Sequence, residues 1–182
     1  MAAETSVHVI LEVMKKWKPY ILERPIEETV LYEKVAPHVA KLTLNRPEVH
    51  NAFYYMDMQY EFDKKLRMGI TDGEVKAIIV TGAGRSFCSG DDLHRAPYEA
   101  FGGKPGEKLP QSNRLIGFWQ LYESFRLLLY CPKFTIAQVR GAAIGVGLWI
   151  AEFCDITVAS ENAIFSEAEQ RIGFAGFGIN PY

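Results

Sequence analysis

The chain has 182 residues, 48% of them hydrophobic, 23% charged and 13% aromatic. Length and composition suit one folded domain with its own core and exclude disordered, collagen-like and coiled-coil chains. Twenty Lys plus Arg against twenty-two Asp plus Glu leave a net charge of -2, which argues against broad electrostatic binding of nucleic acid.

Cys88, Cys131 and Cys154 lie far apart with no C-x-x-C, so they read as small reduced thiols and not as a zinc site or disulfide framework. The start, Met1-Ala-Ala-Glu-Thr, lacks the basic and apolar regions of a signal peptide. The longest apolar run, Ala142 to Ala151, is ten residues, whereas a membrane span needs about 20. A soluble cytoplasmic protein without a membrane partner is expected.

Ile10, Val13, Met14 and Trp17 have amphipathic-helix spacing within Val7 to Trp17, and Pro19 and Pro25 then break the helix. Residues 1–28 therefore read as an N-terminal helical arm and linker, and 29–182 as one core domain. Thr29–Val35 and His38–Leu44 read as strands joined at Ala36-Pro37. Asn51 is placed to cap a helix from about Tyr54 to Met68, which Gly69 and Gly73 end. Val75–Val80 is a β-branched run suited to a buried strand. Residues 96–110, rich in Gly and Pro, read as a loop. A helix over Ser112–Tyr130 stops at Pro132, and Phe134–Val139 is a second buried strand. Gly141–Phe153 has helical spacing, and Asp155–Ala159 reads as a further strand. Alternating strands and helices imply an α/β fold with a largely parallel sheet.

Three segments could carry chemistry. Ser89-Gly90-Asp91-Asp92-Leu93 follows a strand, and ligands sit beyond the carboxyl ends of strands in parallel sheets. Arg140 to Leu148 (RGAAIGVGL) follows the next strand, and its glycines can turn backbone N–H groups toward an anion. Two such donors aimed at one point make an oxyanion hole. Phe165 to Gln170 carries Glu167 and Glu169, which alone would read as a solvated strand end. Gly82-Ala-Gly84 lacks the third glycine of a dinucleotide fingerprint, because Phe87 holds that place. No phosphate loop or nucleophile elbow is present. The four histidines, His8, His38, His50 and His94, have no metal-ligand spacing.

In this order and spacing, four blocks resemble the enoyl-CoA hydratase/isomerase family, the crotonase superfamily. Leu42 to Ala52 (LTLNRPEVHNA) is similar to its L-N-R-P-x-x-x-N-A block. Arg85 to Leu93 (RSFCSGDDL) resembles its [AS]-F-x-[AS]-G-x-D-[IL] block. Lys133 to Gly147 (KFTIAQVRGAAIGVG) resembles its K-P-x-I-A-x-V-x-G-x-A-x-G-G-G block, with Phe134 and Val146 as departures. Glu152 to Ser160, followed by Ala163-Ile-Phe, resembles its C-D-x-x-x-A-[AS]…A-x-F block. The resemblance covers about Thr29 to Gly178.

That resemblance implies a spiral of ββα units and a coenzyme A thioester as substrate, with no permanently bound cofactor and no metal. Two backbone N–H groups would hold the thioester oxygen as it gains enolate charge. By position these are Asp91 and Val146, with Ser89, Gly90, Gly145 and Trp149 around the substrate. Arg46, Asp92 and Leu93 are the implied coenzyme A contacts. Glu169 matches the second of the family's two catalytic carboxylates, but Trp149 stands where the first would be. Tryptophan cannot exchange a proton with water, which sets the two-carboxylate hydration mechanism in question; Glu169 as the one proton carrier leaves double-bond isomerisation or hydration open. Trp149 would either dry the site and raise the Glu169 pKa or stack on a cyclic or aromatic acyl group. Thioester or ring hydrolysis using Asp91, and a non-catalytic acyl-CoA-binding or assembly protein, remain as alternatives. Family members carry a C-terminal helical segment and form trimers or dimers of trimers. Here that segment is expected to be missing, since the sequence stops at Asn180-Pro181-Tyr182.

Overall fold

A computed structural model describes residues 28–54, 57–92 and 111–168, with side chains for all of these except 57, 111–118 and 120. The arm helix expected at Val7–Trp17 and the loop expected at 96–110 lie outside the described residues.

β1 (Val30–Ala36) and β2 (Val39–Leu44) form an antiparallel hairpin. A 3-10 turn (Pro47–Val49) leads to α1 (Asp57–Thr71), then β3 (Ala77–Gly82) and α2 (Gln111–Leu129). β4 (Phe134–Val139), β5 (Ala142–Ile144), α3 (Val146–Glu152), β6 (Ile156–Ala159) and β7 (Ile164–Ser166) follow. The main sheet has the order β1-β2-β3-β4-β6, and every pairing after the hairpin is parallel. β5 and β7 pair in a second, two-stranded parallel sheet. The chain is therefore α/β with a largely parallel sheet, as its strand and helix alternation implies.

Period-two alternation sets the core face. Ala40, Leu42, Leu44, Ile78, Val80, Ala137 and Val139 are buried to within 1% on one side of the sheet. Met58, Phe62 and Leu66 of α1 and Leu121, Phe125 and Leu128 of α2 cover them. Asp155 fastens β4 to β6: its Oδ2 accepts from Thr135 N–H at 2.7 Å and from the Thr135 hydroxyl at 2.8 Å.

Two elements differ from the sequence expectation. Gly69 does not stop α1, which continues to Thr71. A Cβ there would sit 2.9 Å from Ile78 Cδ1, so the glycine serves the close crossing of α1 over β3. The stretch Gly141–Phe153 is not helical throughout. Its first part is drawn out as β5 by pairing with β7, and the helix starts only at Val146.

Asp63 lies where α1 meets α2. Burial pushes its carboxyl up to about 6, against the opposing pull of Ser124 and Arg67. The folded state then holds this proton more tightly than the unfolded chain. The contribution to stability is fully present below the ordinary carboxyl pKa and is lost as pH rises through 6. A displacement of that size corresponds to at most about 3 kcal/mol. Asp63→Asn is expected to raise Tm at pH 7.5 and to flatten the fall in Tm between pH 4 and 7. Thermal melts across that range check it, and an unchanged slope would count against the assignment.

Candidate active site

The segment Cys88–Asp92 is wedged between two neighbours. On one edge, Cys88 N–H donates to Ala142 O at 2.9 Å, and Ile144 N–H donates to Cys88 O at 3.0 Å. On the other, Phe53 N–H donates to Gly90 O at 2.7 Å, and Asp92 N–H donates to Phe53 O at 2.9 Å. Ser89 N–H adds a bond to His50 O at 3.1 Å. These contacts form parallel bridges Cys88 to Ala143 and Phe53 to Asp91. In a parallel bridge the partner residue directs its own N–H to the opposite edge. Asp91 N–H thus points away from Phe53.

Gly90 has φ 94, a conformation that L side chains rarely adopt. A Cβ on it would lie 3.0 Å from Ile144 O and 3.9 Å from Gly145 Cα. The two glycine turns therefore lie side by side. Gly145 anchors the second turn, donating its N–H to Ser166 O at 2.9 Å and accepting Trp149 N–H at 3.0 Å. Val146, fully buried, comes before the first hydrogen bond of α3. The residues after these two glycines are Asp91 and Val146, the two expected donors.

Side chains brace the loop before the ribbon. Asn51 is fully buried with φ 57, and it does not cap the following helix, which begins at Asp57. Its Oδ1 accepts from Arg46 N–H at 2.8 Å. Its Nδ2 donates to Ala83 O at 2.9 Å and Ser86 O at 2.8 Å. Local helix chemistry suggested a cap, but three backbone partners, Arg46 in its own loop and Ala83 and Ser86 in the loop after β3, claim the amide instead. Arg46 Nη2 meets Asp92 Oδ2 at 2.8 Å, with the two side chains only 11% and 6% exposed. Arg46 Nη1 donates to Ala52 O at 2.6 Å. Arg46 and Asp92, both expected along coenzyme A, thus grip each other.

Trp149 is buried and packs edge-on to Phe125, with ring centroids 5.9 Å apart. Phe125 also stacks on Phe153 at 5.2 Å. Ser89, half-buried, directs its hydroxyl to Val49 O at 3.4 Å. Glu169, Leu93 and His94 lie outside the described residues. Glu167 is half-buried just after β7, and burial with its charge raises the pKa of Glu152. Burial pushes the Cys88 and Cys154 thiols up to about 12, so neither is a nucleophile at neutral pH. Among the described residues no group of three His, Cys, Asp or Glu is placed to hold a metal, and no helix is long and apolar enough to cross a membrane.

Fold and turns together define a class: an α/β protein that presents backbone groups beyond the carboxyl ends of parallel strands. The chain belongs to the enoyl-CoA hydratase/isomerase family, whose profile matches residues 34–182. A probable enoyl-CoA hydratase of Mycobacterium tuberculosis is 37% identical over 143 residues, which is 76% of this chain and 50% of that protein. An enoyl-CoA hydratase/isomerase from Xanthobacter autotrophicus superposes with a TM-score of 0.71 at 36% identity, over 80% of this chain and 51% of that one. A Legionella pneumophila chain, provisionally assigned as an enoyl-CoA hydratase/isomerase (crotonase), gives 0.75 at 32% identity, over 85% and 56%. The chain thus spans about half the length of the relatives it matches.

Close approach at Gly147 tests the turn geometry. A Cβ there would sit 2.4 Å from Cys88 O, a backbone atom. Gly147→Ala is expected to destabilise by roughly 1–3 kcal/mol, the usual effect of overpacking. Denaturant titration checks it; an unchanged midpoint would mean that the ribbon and α3 are not held this closely.

Proposed function

We propose that this chain carries the thioester site of an acyl-CoA enzyme, with Asp91 N–H and Val146 N–H as an oxyanion hole. One observation carries the reading: the turns before these donors lie side by side, so that a Cβ on Gly90 would fall 3.0 Å from Ile144 O and 3.9 Å from Gly145 Cα, and hydrogen bonds on both edges fix the ribbon that bears Asp91. When a proton leaves the carbon next to a thioester, negative charge moves to the carbonyl oxygen. Donors already in place stabilise that charge with little reorganisation, and losing one costs roughly 3–4 kcal/mol in comparable sites.

Glu169 is the proposed proton carrier. It would take a proton from one carbon of an enoyl thioester, leaving the enolate, and return it to another, so that the double bond migrates. Trp149 supports isomerisation over hydration, because it places an apolar ring where a second carboxylate would be needed. Its contact with Phe125 favours a fixed dry wall over a ring free to swing onto an acyl group. A dry wall disfavours the charged carboxylate and raises its pKa toward the range of a general base.

NMR of the chain with a short 3-enoyl-CoA in D2O tests this. The expected product is the 2-enoyl-CoA with deuterium incorporated, and Glu169→Gln is expected to slow it by about 10²-fold or more. A hydroxyacyl product would mean hydration, and free coenzyme A would mean hydrolysis. Ligand broadening without conversion would replace the enzymatic reading by that of an acyl-CoA-binding protein.

A further inference from the structure

We propose that the buried Arg46–Asp92 pair is a positioning latch, which sets the direction of Asp91 N–H and does not itself contact the ligand. The inference rests on the reading of Asp91 as an oxyanion donor. Asp92 is the next residue in the chain, and it is held twice by the same loop. Its N–H bonds Phe53 O at 2.9 Å, and its carboxylate meets Arg46 at 2.8 Å. Asp91 is hence clamped between Gly90, bonded through its carbonyl to Phe53, and Asp92.

The other half of the latch is equally tied down. Arg46 Nη1 reaches Ala52 O at 2.6 Å, and the Arg46 backbone N–H bonds Asn51 Oδ1 at 2.8 Å. Asn51 in turn holds Ala83 O and Ser86 O, beyond the end of β3. The guanidinium is planar and forks in fixed directions, so it passes orientation along as well as charge. Arg46 also neutralises a carboxylate that would otherwise oppose an anion forming beside Asp91. A buried pair of this kind adds little net stability over a well-packed apolar pair, whereas removing one partner alone is strongly destabilising. Stability and positioning can therefore be separated by mutation.

The test compares the full chain with Arg46→Met, Asp92→Leu, the double variant and Arg46→Lys. It measures Tm, kcat and KM for the enoyl-CoA reaction, and hydrogen exchange of the Asp91 amide. Each apolar single variant is expected to lower Tm, and the double variant to recover most of it. The double variant should still lose about 10- to 100-fold in kcat, the size of effect that small misplacements produce, with KM changed less than about threefold. Its Asp91 amide should exchange faster than in the parent chain. Recovery of kcat together with Tm would overturn the latch and leave a structural pair. A rise in KM at constant kcat would overturn it in favour of an Arg46 contact to coenzyme A phosphate. Should the double variant not fold, Arg46→Lys decides: lowered kcat at constant KM supports the latch, and unchanged kcat overturns it. If the parent chain converts no thioester, the enzymatic reading fails on its own. Unchanged Asp91 exchange in a folded variant would then overturn the latch independently.

Discussion

A buried backbone must find hydrogen-bond partners for its polar groups, because water cannot reach them. The ribbon Cys88–Asp92 meets that demand on both edges at once, from the 50–53 loop on one side and β5 on the other. Much else follows from this double pairing. β5 is drawn out of what would otherwise be helix, since its carbonyls and amides are needed by Cys88. Gly90 must be glycine, because the ribbon turns at positive φ directly against Ile144 O. Gly147 must be small, because the first turn of α3 lies on Cys88 O. The site is thus a by-product of satisfying a buried segment, and its two candidate donors arrive together for that reason.

Several residues in the motif blocks fasten parts of the fold to one another. Asn51 staples the loop after β2 to the loop after β3. Asp155 ties the starts of β4 and β6. Asp92 and Arg46 lock the ribbon to that same loop. Each is a short or planar polar side chain serving backbone or a buried partner. Hydrogen bonds involving such groups are worth more when buried, and leaving one partner unmet is costly. An apolar substitute could fill the space, but it could not hold two loops at a fixed mutual angle.

This division explains what could be read in advance. Strand positions were legible because alternation and β-branched runs are local, as in β3 and β4. The long helix before Pro132 was legible from its stop signal. The small sheet was not legible, since β5 and β7 each have three residues and owe their form to partners far along the chain. Asn51 looked like a helix cap because its neighbours are helix-like, and only the folded loops reveal its two distant partners, Ala83 and Ser86. Arg46 stands out in sequence by its charge, whereas the burial of Asp92 against it is not visible there. The candidate donors Asp91 and Val146 are suggested only by the spacing of four blocks, because backbone groups leave no mark in side-chain identity.

Chemistry held in backbone tolerates unusual side chains, and that bears on Trp149. The oxyanion hole proposed at Asp91 and Val146 is made of N–H groups and does not depend on their side chains, provided that the turns keep their shape. In the proposed reaction, the step after enolate formation would depend instead on which ionisable side chains surround the carbon skeleton. Position 149 sits one helical turn beyond Gly145, on the short helix that the ribbon packs against. A carboxylate there would have to be solvated within the aromatic cluster of Phe125 and Phe153, at a desolvation cost that the indole avoids. The aromatic wall and the missing carboxylate are therefore one feature. In the proposed reaction, a core that close to the turns would exclude water, strengthen the pull of two N–H dipoles on a forming enolate, and leave the fate of the proton to a base from another segment.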